Sequence, residues 1–200
     1  MNDEFFEEGN NLPKAEKTSG SPNGENKFLK EAISWAKTII AAFVFAFIIT
    51  TFIIVNAKVP SGSMKNTINE GDRLIANRLA YTFSDPERFD IVVFKFPDDE
   101  SVYYIKRIIG LPGETVEIKD GKVYIDGSDE PLDDSFILEP MIPEEDAVFE
   151  VPEGCYFMLG DNRNNSADSR RWNNKYVEKS KILGKAVFKY YPNFELLTNK

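Results

Sequence analysis

From Thr38 to Val55 the chain carries no charge (TIIAAFVFAFIITTFIIV), and this run limits the possible folds more than any other feature. Eighteen residues in helical form span about 27 Å, close to the hydrocarbon thickness of a bilayer. A helix apolar on every side needs either lipid or a large surrounding domain, and a 200-residue chain leaves little for the latter. Trp35 and Lys37 suit an interfacial edge. The rival reading is a cleaved leader ending at Val55-Asn56-Ala57. A long polar stretch before the run, and a run longer than the usual leader core, argue for a retained anchor. Flanking charge gives no orientation, because Lys27, Lys30 and Lys37 on one side balance Lys58, Lys65 and Arg73 on the other.

The segments around the run differ in character. Residues 1–32 are mostly polar and are expected to form a disordered tail, with 33–57 as a transmembrane anchor helix. Residues 58–200 read as a β-rich domain: RFDIVVFKF, SVYYIKRIIGL, ETVEIKDGKVYIDG and GKAVFKYYP are dense in Val, Ile, Tyr and Phe. Asp120-Gly121 between VEIK and KVYI is a two-residue hairpin signal. Residues 127–153, acidic and interrupted by proline, read as a surface excursion between strands. The expected fold class is mainly β: one N-terminal transmembrane helix followed by a β-rich domain of antiparallel sheets.

Composition removes several kinds of chemistry. The formal net charge of -9 argues against a nucleic-acid partner, which would call for a basic face. The chain has no histidine, which excludes a Ser-His-Asp triad, a Cys-His pair and the usual imidazole base. Its single cysteine, Cys155, permits no internal disulfide and reads as a buried thiol. No metal, nucleotide or haem motif is present, so no cofactor is expected. Any nucleophilic chemistry must give its proton to a lysine or a carboxylate.

Three segments could carry such chemistry, and each has a plain alternative. Val59-Pro60-Ser61-Gly62-Ser63-Met64 can hold a sharp turn that presents a hydroxyl beside backbone N–H groups, or it is an ordinary turn. In Tyr104-Ile105-Lys106-Arg107-Ile108-Ile109-Gly110 two cations interrupt an apolar strand. Neighbouring side chains point to opposite faces, so one cation is expected to turn inward, where a lysine loses hydration and becomes a better base. The alternative is an edge strand using charge against aggregation. Gly160-Asp161-Asn162-Arg163-Asn164-Asn165-Ser166-Ala167-Asp168-Ser169-Arg170-Arg171-Trp172 is either a polar loop or a buried network in which Asp168 pairs with Arg170 and Ser166 orients an amine.

Together these segments resemble bacterial signal peptidase I, Ser-Lys proteases, in three motifs and in the right order. The single anchor and short domain look like Gram-positive members. PSGSM resembles the nucleophile motif, which assigns the attacking hydroxyl to Ser63. YIKRIIGLPGE resembles the lysine motif and assigns the base to Lys106, with Arg107 structural. GDNRNNSADSRRW resembles the third motif and implies support from Ser166, Asp168, Arg170 and Asp161, while Ser61 falls where a side-chain hydroxyl helps bind the oxyanion. Val59, Met64, Tyr104 and Ile105 are candidates to line shallow apolar substrate pockets. The pattern departs after Met64: Lys65-Asn66-Thr67-Ile68 stands where the family has a residue followed by Pro-Thr-Leu, and Asn173 stands where a glycine commonly follows the tryptophan.

The resemblance implies a membrane-bound serine endopeptidase that removes signal peptides from secreted precursors. It would be a single-pass monomer in the cell membrane and its lipid bilayer, with the N-terminus cytoplasmic and the catalytic domain outside. Ala57 then becomes a candidate self-cleavage site. The competing readings are a soluble Ser-Lys repressor, disfavoured by the apolar run and acidic balance, and a non-catalytic, membrane-tethered β-domain that binds proteins.

Overall fold

A computed structural model describes residues 23–137 and 139–197. The chain falls into two units, the first ending at Val44 and the second beginning at Phe45. Helix α1 spans Asn23–Ile48 and continues as a π-helical turn, Ile49–Ile53. The stretch Lys27–Ile53 is 27 residues long with a mean hydropathy of 2.2, long and apolar enough to cross a bilayer, and none of its most apolar window is buried. Phe28, Trp35, Phe43 and Phe45 are all largely exposed among the described residues.

Both ends of this helix depart from the expected boundaries. It begins ten residues before position 33, within the segment expected to be disordered; residues 1–22 of that segment lie outside the described part. At the other end, the β-branched run Ile48-Ile49-Thr50-Thr51 disfavours continued helix, and residues 54–57 of the expected anchor are strand instead.

The strands follow in order: β1 (Ile54–Lys58), β2 (Arg73–Asn77), β3 (Ile91–Phe96), β4 (Asp99–Gly110), β5 (Thr115–Lys119), β6 (Lys122–Ile125), β7 (Ala147–Glu150), β8 (Cys155–Leu159), β9 (Tyr176–Glu178), β10 (Ile182–Tyr191) and β11 (Glu195–Leu196). Among the described residues they form an eight-stranded sheet, ordered β1-β2-β10-β3-β4-β8-β9 with β11 beside β10, and a three-stranded sheet, β6-β5-β7. Every pairing is antiparallel.

The Asp120-Gly121 turn closes the β5–β6 hairpin with φ of 50° and 72°, the positive pair that a tight hairpin turn requires. The acidic excursion is more than surface. Its residues Ala147–Glu150 add β7 to the small sheet, and Phe136 and Met141 enter a core with Ile109, Val116 and Phe157.

The position of β4 matters most for the site. It lies between β3 and β8, which rules out the charged edge strand. In its neighbour β3, Ile91 and Val93 belong to one core cluster and Val92 and Phe94 to another. Here the sheet is packed on both faces, and a cation on β4 is buried whichever way it points.

Candidate active site

The turn that carries Ser61 and Ser63 follows β1. Pro60 and Gly62 bracket Ser61, and short-range bonds then wind the chain: the Lys65 N–H donates to the Gly62 carbonyl (3.1 Å), and the Ile68 N–H to that of Met64 (2.8 Å). Met64 and Ile68, 1% and 0% exposed, root the turn in the core beneath it. The departure from the Pro-Thr-Leu pattern has a backbone consequence. Asn66 has φ of 92°, which proline cannot adopt, and occupies the third position of a turn closed by the Thr67 N–H on the Met64 carbonyl (3.2 Å).

Lys106, near the end of β4, brings its Nζ to 2.5 Å from the Ser63 Oγ. The two residues are 43 positions apart, so the sheet and the turn, not local sequence, make this contact. Lys106 is 3% exposed. Burial pushes its amine down from 10.5 to about 8, against the opposing pull of the Asp168 and Asp161 carboxylates. The Tyr104 ring lies 5.4 Å from the same Nζ and stacks on Phe96. The Ser61 Oγ is 3.4 Å from that of Ser63.

The second cation does not reach solvent either. Arg107 is 1% exposed and forms a two-pronged pair with Asp161, Nε to Oδ1 at 2.8 Å and Nη2 to Oδ2 at 2.7 Å. The expectation that only one of the two cations turns inward is therefore corrected. The Asp161 carboxylate also accepts from the Thr67 hydroxyl (2.5 Å), which links the Ser63 turn to the strand that carries Lys106.

The third segment closes the arrangement. Asn162 donates its N–H to the Ser63 carbonyl (3.1 Å) and its side-chain amide to that of Gly62 (3.0 Å). Asp168, wholly buried, pairs with Arg170 and accepts the Gly160 N–H. A side chain at Gly160 would collide with both the Ser63 carbonyl and the Ser166 hydroxyl. The Ser166 hydroxyl is buried and has no hydrogen-bond partner among the described residues, so it does not hold the Lys106 amine in this structure. Cys155, expected to be buried, is half-buried at the start of β8.

A cleft of about 860 Å³ opens at the Ser63–Lys106 contact. Val59, Met64, Tyr104 and Ile105 all line it, Val59 and Met64 as buried floor and the other two as partly exposed wall. Thr67, Asn162 and Ser169, whose Oγ accepts the Met158 N–H at 2.9 Å, were not singled out from sequence. Each is a small polar residue in a polar stretch, and only the fold shows which backbone group it meets.

The arrangement can transfer a proton from a hydroxyl to a neutral amine inside a peptide-sized groove. The family described as signal peptidase, peptidase S26, matches residues 32–191. The "Probable signal peptidase I-1" of Synechocystis sp. is 39% identical over 173 residues, covering 83% of this chain and 84% of the relative. Signal peptidase I of Leptolyngbya laminosa is 38% identical, covering 90% and 88%, and signal peptidase I S of Bacillus subtilis 36%, covering 84% and 93%. The resemblance thus extends to Synechocystis and Leptolyngbya as well as Bacillus proteins. It favours an enzyme over a tethered binding domain, and an ordered set of three motifs, a cleft with a buried lysine and a match over most of the chain lead to one conclusion: this chain belongs to the signal peptidase I family of serine peptidases.

Proposed function

We propose that the protein cleaves signal peptides from secretory precursors, with Ser63 as nucleophile and Lys106 as general base. The observation that carries the assignment is the 2.5 Å contact between a buried amine and the Ser63 hydroxyl in a chain without histidine. Neutral Lys106 takes the Oγ proton as Oγ bonds to the scissile carbonyl carbon. The Ser63 N–H and the Ser61 hydroxyl are the donors to the resulting oxyanion. Protonated Lys106 then gives its proton to the departing amine as the C–N bond breaks. A water attacks the acyl-enzyme, losing a proton to Lys106, and that proton returns to the Ser63 Oγ when the ester bond opens.

Asp161 and Asp168 hold the surrounding chain through Arg107 and Arg170. Ser166 is the group available to steer the amine: its unpartnered hydroxyl sits beside the Ser63 carbonyl across Gly160. An extended substrate presents alternate side chains to one wall, so Val59, Met64, Tyr104 and Ile105 serve the small residues at the first and third positions before the bond. Residues 27–53 cross the bilayer once, with the N-terminus cytoplasmic and the catalytic domain on the outer side of the cell membrane, as a monomer.

Cleavage of a detergent-solubilised precursor by the parent chain, Ser63→Ala and Lys106→Ala tests the chemistry. Both variants should lose turnover, and full turnover in either overturns the assignment. Protease added to intact protoplasts should digest the catalytic domain; its survival would contradict the orientation.

A further inference from the structure

Asn66 lies three residues beyond the nucleophile, and its side chain makes a bond that neither the turn nor the dyad requires. Its Nδ2 donates to the Phe136 carbonyl at 2.9 Å, across 70 positions of sequence. Phe136 is a fixed point. It is 7% exposed, its ring centre lies 4.1 Å from the Arg107 guanidinium and 5.6 Å from that of Arg163, and Phe89 packs against it. Arg163 in turn pairs with Asp134, two residues before Phe136. Arg107 is the immediate neighbour of Lys106. The acidic excursion is thus pinned to the strand that carries the lysine, and Asn66 ties the nucleophile turn to the same pin.

Asparagine suits both demands of this position. It tolerates the positive φ of 92° better than most residues, and its amide supplies the donor. We propose that Asn66 is a positioning residue that sets the height of the Ser63 hydroxyl against Lys106 by anchoring the turn to Phe136. This rests on the Ser63–Lys106 reading above and adds to it the role of the segment around Phe136.

The test uses the full chain in detergent with a precursor-derived peptide. Asn66→Gly keeps the turn's backbone freedom and removes the donor; kcat should fall about five-fold with KM and thermal midpoint little changed. Asn66→Asp retains the tolerance for positive φ but sets a carboxylate against the Phe136 carbonyl, and should lose more than Asn66→Gly does. Asn66→Gly and Phe136→Leu should be non-additive in kcat, because both act through one link. A kcat for Asn66→Gly within two-fold of the parent overturns the proposal. So do an Asn66→Asp as active as the parent, and a loss that appears in KM alone or follows the fraction unfolded. Ser63→Ala, run alongside, separates the two levels: if it retains turnover, the dyad reading has failed, whatever Asn66 does.

Discussion

The lowered pKa of Lys106 makes a quantitative forecast for the pH dependence of turnover. An amine titrating at about 8 is neutral in roughly one molecule in eleven at pH 7, whereas one at 10.5 is neutral in roughly one in 3,000. Burial therefore raises the active fraction about 300-fold, equivalent to about 3 kcal/mol. If the neutral amine is the working form, kcat should climb nearly ten-fold per pH unit from about pH 5.5 to 7.5 and level off above about 8.5. The assay is steady-state kcat of the detergent-solubilised full chain on a peptide spanning a cleavage site, at saturating substrate. Asp168→Asn removes a charge that holds the Lys106 pKa up, so in folded protein the rising limb should move to lower pH. A midpoint at or above 10, or a flat profile between pH 6 and 9, would refute this reasoning, as would full activity in Lys106→Arg.

Three further outcomes follow from the same geometry. Lys106→Met should abolish turnover yet raise stability at pH 7 by up to about 3 kcal/mol, read as a higher thermal midpoint, since a buried ammonium is lost. The lysine's folded pKa is below its unfolded value, so the unfolded chain binds more protons between about pH 8 and 10.5. The parent gains stability across that window, and the variant's advantage should shrink there; thermal melts at pH 7 and 10.5 check it. Asp161→Ala should cost about 3–5 kcal/mol in denaturant melts by stranding the buried Arg107 guanidinium. Gly160→Ala should lower kcat about 100-fold, because the new methyl displaces the Ser63 carbonyl; single-turnover acylation measures it, and parental rates would contradict the packing.

Local chemistry made much of this molecule legible. The charge-free run, the Val- and Ile-rich strands and the Asp120-Gly121 turn each carry their structure in neighbouring residues. What escaped depends on distant ones. Arg107 is as buried as Lys106 because β4 is flanked by β3 and β8, a strand order that no local pattern contains. Phe136 and Met141 lie in a stretch whose acids and prolines read as surface, yet both pack into the core beside the small sheet. The motifs named Ser63 and Lys106 individually, but the contact between them spans 43 positions. Ser166 is the converse: sequence resemblance gave it the amine, and the structure leaves its hydroxyl without a partner.

Two adjacent residues of β4 do opposite work, one at the cleft and one in an internal ion pair. Sliding that strand by a single position would bring Arg107 to the serine and Ile108 to Asp161, or, in the other direction, Ile105 to the serine and Lys106 to Asp161. Neither slip keeps both contacts: at the serine a guanidinium does not release its proton near neutrality and an isoleucine has none to exchange, and at Asp161 neither an ammonium nor an isoleucine can make the two-pronged bond. Correct alignment of this one strand is thus checked twice over, and a misaligned molecule would be both inert and unstable. One register alone therefore satisfies both the cleft contact and the internal ion pair.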